Sequence, residues 1–346
     1  MVEVVKGSCT VRSFSKAVPF LAALLFARCG GGPGSIDPEG VEVDLPIGRL
    51  DRSIFETFGP GGSGNDRALR AEYGTFYTLY VEDILQAAPV DDPRLPLALG
   101  GFAGNPDWRS TQEAAEATLG DLSGQRKDFE EAFARLKAVF PDRITPRLVA
   151  YNSGYNYGIY PTDSVLGFGV EWFIGADHPV IGMLAPERFP RYLKDRMRPE
   201  LLVPSVVKGW LMVHYMPETT GDDLLTHLVQ TGKAMALLDV LLPDTPSDLK
   251  FAFTQEQLSW CEANEFRMWR ELVDNELLFS DSFEDIGRIM NDGPFTPGFP
   301  RESPGHVGEW IGWRMVRAYL DEHPDTSWPD LLAVDPQSVL KSYKPR

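Results

Sequence analysis

The residues whose spacing comes nearest to a catalytic motif lie in one helical run, Leu224-Leu-Thr-His227-Leu-Val-Gln-Thr231-Gly232-Lys233. A zinc hydrolase of the H-E-x-x-H kind needs two histidines one turn apart on one helix face, with a glutamate as general base. Here Leu228 stands where that glutamate would be and Thr231 where the second histidine would be. The run keeps the helix and lacks the ligands, which points away from hydrolysis. Five histidines bound any other metal site: His178, His214, His227, His306 and His323. His178 and His323 each precede a proline in a turn-like context, and His214 has no His or carboxylate at i+3 or i−4. His306 and Glu309 form an i, i+3 pair that could hold a metal only beside matching pairs from other helices. A glutamate in the first turn of a helix also answers the macrodipole, and that is the reading adopted. The expectation is therefore no metal, no cofactor and no catalytic residue.

Other nucleophile and phosphate motifs are equally thin. There is no G-x-S-x-G elbow and no G-x-x-x-x-G-K-[ST] loop; Gly232-Lys233 sits mid-helix. The three cysteines, Cys9, Cys29 and Cys261, include no C-x-x-C and are too few for a disulfide framework. Cys261 falls within a predicted amphipathic helix and reads as a small buried hydrophobe. A mid-helix glycine costs about 1 kcal/mol relative to alanine, so Gly232 is expected to admit close approach of another element. Asp239 shares a face with Leu225, Leu228, Gly232 and Met235, and a carboxylate there must be paired or open to a groove. Lys233, Arg314 and Arg317 are the candidate partners.

The elements that would position these residues follow from periodicity. Residues 1–16 are short and net positive, and Ala17 to Ala27 is an apolar run too short to span a bilayer, so residues 1–28 read as a signal peptide. Cys29 follows directly and opens a Gly-rich tether over 29–40, ahead of one domain at 41–346. Val41–Leu45 alternates as a short strand. Helical spacing covers 67–88 and 111–139, separated by a Pro-rich loop. Arg147–Tyr151 and Ser164–Val170 read as two strands joined by the Tyr-, Asn- and Gly-rich connection 152–163, a hairpin onto which Tyr155, Tyr157 and Tyr160 are expected to fold back, a sticky rim being the alternative. Beyond residue 185 the chain reads as helical, with Thr220 or Asp222 capping 223–242. A capping box at Thr254 and Gln257 opens a helix to about 278. Ser303 with Pro304 opens another that stops before Pro324, and a short helix begins near Pro336. The class is α+β, mainly α-helical, with a small antiparallel sheet.

Composition sets the outer limits. The chain has 346 residues, 43% hydrophobic and 11% aromatic, enough for a packed core. The net charge is −17, and four basic residues against one acid in the first 28 leave the body more acidic still. Such a surface repels phosphate backbones, so no nucleic acid is expected as a partner.

Several segments, in order, resemble the gliding-motility lipoprotein GldB family. They are Cys29 after the apolar run, Arg49-Leu-Asp51…Ile54-Phe55, Asn152-Ser-Gly-Tyr-Asn-Tyr157 and Gly167-Phe-Gly-Val-Glu171-Trp-Phe-Ile-Gly175. Pro190-Arg-Tyr192, Arg198-Pro199, Gly232-Lys233…Asp239…Pro243 and Thr254…Gln257…Trp260 continue the series, which Pro304-Gly-His-Val-Gly-Glu-Trp310-Ile-Gly-Trp-Arg-Met-Val316 closes. Three positions depart from the family pattern: Arg28 before the cysteine, Glu171 where Asp is usual, and His306 where Arg is usual. The resemblance implies a lipid-anchored envelope protein facing the periplasm, acylated at Cys29, whose partners are other proteins of the gliding and secretion machinery. It also implies a zincin-like body without its metal site, in which a concave groove survives along the former active-site helix. His227, Lys233, Asp239, Trp260, Trp310 and Arg314 are the candidate groove residues, with Trp269 and Trp313 nearby. Non-catalytic protein–protein binding is the leading expectation; the alternative is a zinc-dependent metallopeptidase with ligands from separate helices.

Overall fold

The protein is described from a computed structural model over residues 35–216 and 221–346, so the expected signal peptide and Cys29 lie outside the described residues. The chain enters as β1 (Ile47–Arg49) and α1 (Leu50–Phe58). Val41–Leu45, expected as a strand, is irregular, and pairing begins two residues later. The helical stretch 67–88 is broken at Gly74 into α2 (Arg67–Tyr73) and α3 (Thr75–Leu79), which continues as one π-turn over Tyr80–Ile84. The Pro-rich loop contains α4 (Leu95–Gly104). The stretch 111–139 is α5 (Pro106–Leu119) and α6 (Ser123–Val139), separated where Leu122 takes a left-handed conformation.

Four strands form the sheet, β2 (Arg147–Tyr151), β3 (Ile159–Pro161) and β4 (Val165–Gly169) joining β1 in the order β1-β2-β4-β3. The mainly helical α+β class holds, but the sheet is mixed: β1 and β4 run parallel to β2, and only β3 is antiparallel to its neighbour β4. The expected hairpin of the two long strands is therefore corrected. The 152–158 loop carries the chain past the end of β4 to its far side, and the tight turn closes between β3 and β4. Alternation along β2 splits the apolar residues between two cores. Val149 and Tyr151 pack with α1 to α4, whereas Leu148 and Ala150, with Leu166 and Phe168 of β4, face the larger core. Arg49 closes the first layer by a bidentate pair with the fully buried Asp51, which also accepts from Gln112 of α5. That pair is the physical content of the Arg49-Leu-Asp51 motif.

Short helices α7 (Pro179–Gly182) and α8 (Arg191–Lys194) lead to α9 (Leu202–His214) and α10 (Leu224–Leu241). Asp223, rather than Asp222, caps α10 through Thr226 N, and Thr220 lies outside the described residues. Helix α10 is buried on nearly every side, as a helix apolar all round must be. Then come α11 (Ser247–Phe251), α12 (Gln255–Ala263), α13 (Glu265–Asp274), α14 (Phe283–Met290), α15 (Val307–Glu322), α16 (Trp328–Ala333) and α17 (Pro336–Ser342). The Thr254–Gln257 capping box forms, but the helix it opens ends at Asn264, whose turned backbone starts α13. Ser303 does not cap α15; its hydroxyl donates to Pro300 O, and His306 takes the cap position. Among the described residues no helix is long and apolar enough to cross a membrane.

Candidate functional site

The expected groove where α10, α12 and α15 meet is filled. Gly232 and Gly312 allow α10 and α15 to touch backbone to backbone, and a Cβ on either would collide with the other helix. Lys233 is buried, its ammonium donating to Leu332 O at 3.0 Å and to Val334 O at the end of α16. Asp239 pairs with Lys250 at 3.0 Å and accepts from Trp313 Nε1 at 2.7 Å, while the expected partners Lys233 and Arg314 bond elsewhere. Trp310 is buried, and Trp260 packs edge-on against Phe299. Arg314 lies over the Trp310 and Trp313 rings and donates to Glu265, which also accepts from Tyr343 in the C-terminal tail. His227 sits apart, against Asp222. These residues hold helices together; they do not line one opening.

The histidines are likewise dispersed. His214 stacks on Trp210 and meets Thr162 O at 3.0 Å, while His178 caps α7. Among the described residues no group of three or more His, Cys, Asp or Glu is arranged to hold a metal ion.

A cavity of about 310 Å³ opens elsewhere, between the β3 edge, the turn after β4, α8, α9 and the start of α15. Its floor is apolar, including Ile159, Trp172, Phe173, Leu193, Met197 and Leu201. Its rim carries five charged or titratable groups: Arg196, Lys208, Asp292, His306 and Glu309. The Pro304-Gly-His motif builds half of it. Gly305 lies so close to Gly293 that a Cβ would strike the Gly293 backbone, and His306 N donates to Asn291 O at 3.1 Å. The 291–293 loop is thereby clamped against the motif, which delivers Asp292. His306 itself is left-handed (φ 45°), a conformation rare for a residue with a side chain, and this turns its ring inward.

Both ring nitrogens are engaged. Nε2 lies 3.1 Å from Phe251 O, which can only accept, so Nε2 carries a proton. Nδ1 lies between an Arg196 amine at 2.8 Å and Asp292 Oδ1 at 3.0 Å, and the other Arg196 amine donates to Asp292 at 2.5 Å. Burial pushes the Asp292 carboxyl up, but His306 and Arg196 outweigh it and hold it well below the usual range. On the next turn Glu309 pairs with Lys208 of α9 at 3.0 Å. Burial again opposes ionisation there, and the Lys208 ammonium and His306 bring the Glu309 carboxyl below its ordinary value. Both acids are ionised and each has its own cation. The rim is charged, internally paired and held at a fixed geometry.

A second buried acid supports the wall. Glu171, fully buried, accepts through Oε1 from Ser153 N (2.8 Å), Ser153 Oγ (2.6 Å) and Tyr155 N (3.2 Å), and so pins the 152–157 loop. Burial raises it from 4.5 to about 7, against those hydrogen bonds. Tyr155 is buried against Trp108, Trp172 and Phe189 instead of forming a rim, while Tyr157 and Tyr160 stack edge-on at the surface. Sequence reading had singled out His306 and Glu309 but assigned them to the macrodipole. It missed Arg196, Lys208, Asp292 and Trp172, which no spacing in the sequence connects with that pair.

The family described as gliding motility protein GldB matches residues 33–345, nearly the whole chain. No curated protein and no solved structure matches it. The expected order of motifs and the matched span agree: the chain belongs to the gliding motility protein GldB family.

Proposed function

We propose that this protein is a non-catalytic, membrane-tethered component of the gliding machinery that binds a partner protein through the cavity between β3, α9 and the start of α15. The observation that supports this reading is the state of the rim. Lys208 with Glu309 and Arg196 with Asp292 neutralise one another, so the site presents an apolar floor within a rigid polar frame. Concave apolar surfaces with a few fixed polar groups are the usual form of binding sites. Each rim acid is held ionised against its own cation, which supports the reading of the rim as a structural frame. Export and acylation at Cys29 complete the proposal: a lipid anchor ahead of the domain would hold it at the envelope surface, facing the periplasm, beside other proteins of the gliding and secretion apparatus.

Ser205 of α9 lines the cavity, and Ser205→Trp fills it. In the native host, it is expected to abolish gliding, or secretion by the associated machinery where the host does not glide, with protein level and membrane fraction unchanged. Unaltered motility and secretion would refute the binding role of the cavity. Cys29→Ser is expected to release the protein from membranes or stall its processing; soluble mature protein that begins elsewhere would refute the anchor. Stoichiometric zinc with peptide hydrolysis in protein purified without added metal would establish the metallopeptidase alternative instead.

A further inference from the structure

We propose that the partner element is an extended peptide strand that pairs with the free edge of β3 at Ile159 and seats one apolar side chain in the cavity, an inference that rests on the cavity being the binding site. In an antiparallel ladder, residues alternate between those that exchange hydrogen bonds with the neighbour and those whose main-chain groups point away. Gly169 N donates to Gly158 O and Thr162 N to Val165 O, both at 2.8 Å, and Tyr160 is opposite Gly167. Residues 158, 160 and 162 therefore face β4, and the Ile159 N–H and C=O face outward. The strand order makes that side the sheet edge. Pro161, the next outward residue, has no N–H, so the edge offers one complete donor–acceptor pair, and Gly158 and Ile159 line the cavity.

One further group at the same cavity lacks a partner: the Trp172 indole Nε1 is buried with no hydrogen bond among the described residues. An unmet buried donor is rare and costly. The rim charges are already paired, so recognition falls to the peptide backbone and one apolar side chain, the mode by which a strand adds to a sheet edge.

The test uses the full-length chain and a phage-displayed random heptapeptide library. Enriched sequences are expected to share one Leu-, Met- or Phe-like residue. Synthetic copies should lose about tenfold or more in affinity when a single backbone amide is N-methylated, and little when either neighbouring amide is, because only alternate amides face Ile159. Ser205→Trp should weaken the same peptides at least tenfold, with its melting temperature checked alongside. A flat N-methyl scan on wild-type protein overturns strand pairing while leaving the cavity as a site. Affinities indifferent to a folded Ser205→Trp overturn the cavity itself, and failure to enrich any peptide overturns the inference.

Discussion

Replacing Glu171 by glutamine should change how stability depends on pH more than it changes stability itself. In the folded chain burial raises this carboxyl from 4.5 to about 7. Between those values the folded state holds a proton that the unfolded state has released, so stability falls as pH rises through the window. The gap corresponds to about 3 kcal/mol at pH 8, absent below about pH 4.5. Glutamine keeps an oxygen for Ser153 N, Ser153 Oγ and Tyr155 N. It places an amide where Oε2 has no partner among the described residues. That costs about 1–3 kcal/mol at every pH. The variant should therefore be the weaker protein at pH 4.5 and gain on wild type by about 3 kcal/mol up to pH 8. With an unfolding entropy of about 2.1 cal/mol/K per residue, the relative gain amounts to about 5 °C in Tm. Urea denaturation or calorimetry of both proteins at pH 4.5, 6 and 8 provides the measurement. A difference that stays constant with pH would show that Glu171 is ionised at ordinary cost and that burial does not govern its titration.

Three other outcomes follow from packing. Gly312→Ala drives a Cβ into the Leu228 backbone, so it should cost about 3 kcal/mol or more in urea denaturation, the scale of severe overpacking. Lys233→Met strands the carbonyls of Leu332 and Val334 and should cost about 1–3 kcal/mol, loosening the α16–α17 tail; amide exchange of that tail reads it out. Charge reversal at Lys233 would thus test folding rather than binding. Asp51→Asn unpairs Arg49 and should destabilise by about 3–5 kcal/mol, read by the shift in denaturation midpoint, since a partner is removed from a buried ion pair.

Much of the architecture could be read from the amino-acid order, because its causes are local. Period-3.6 spacing located most of the helices, the Thr254–Gln257 box located a helix start, and β2 was found at its true bounds. The ordered motifs also identified the family without any fold comparison. Breaks at Gly74, Leu122 and Asn264 escaped notice because apolar spacing continues across them; backbone conformation at one residue interrupts the helix while the buried face carries on. Strand direction was misread for a different reason. Chain order between β2 and β4 says nothing about which side of β4 the connection reaches, and β3 settled that by pairing on the far edge. The candidate site shows the same division. His306 and Glu309 were visible as a spaced pair, but Arg196, Lys208 and Asp292 are distant in sequence and acquire meaning only when Gly305 and Gly293 close on one another. Conversely, Lys233, Asp239 and Trp310 had the composition of a groove, and the contact of Gly232 with Gly312 left no groove for them to line. Local propensity and periodicity depend on neighbours in the chain and are legible there; pairing of charges and closure of cavities depend on which helices touch, and only the tertiary structure decides that.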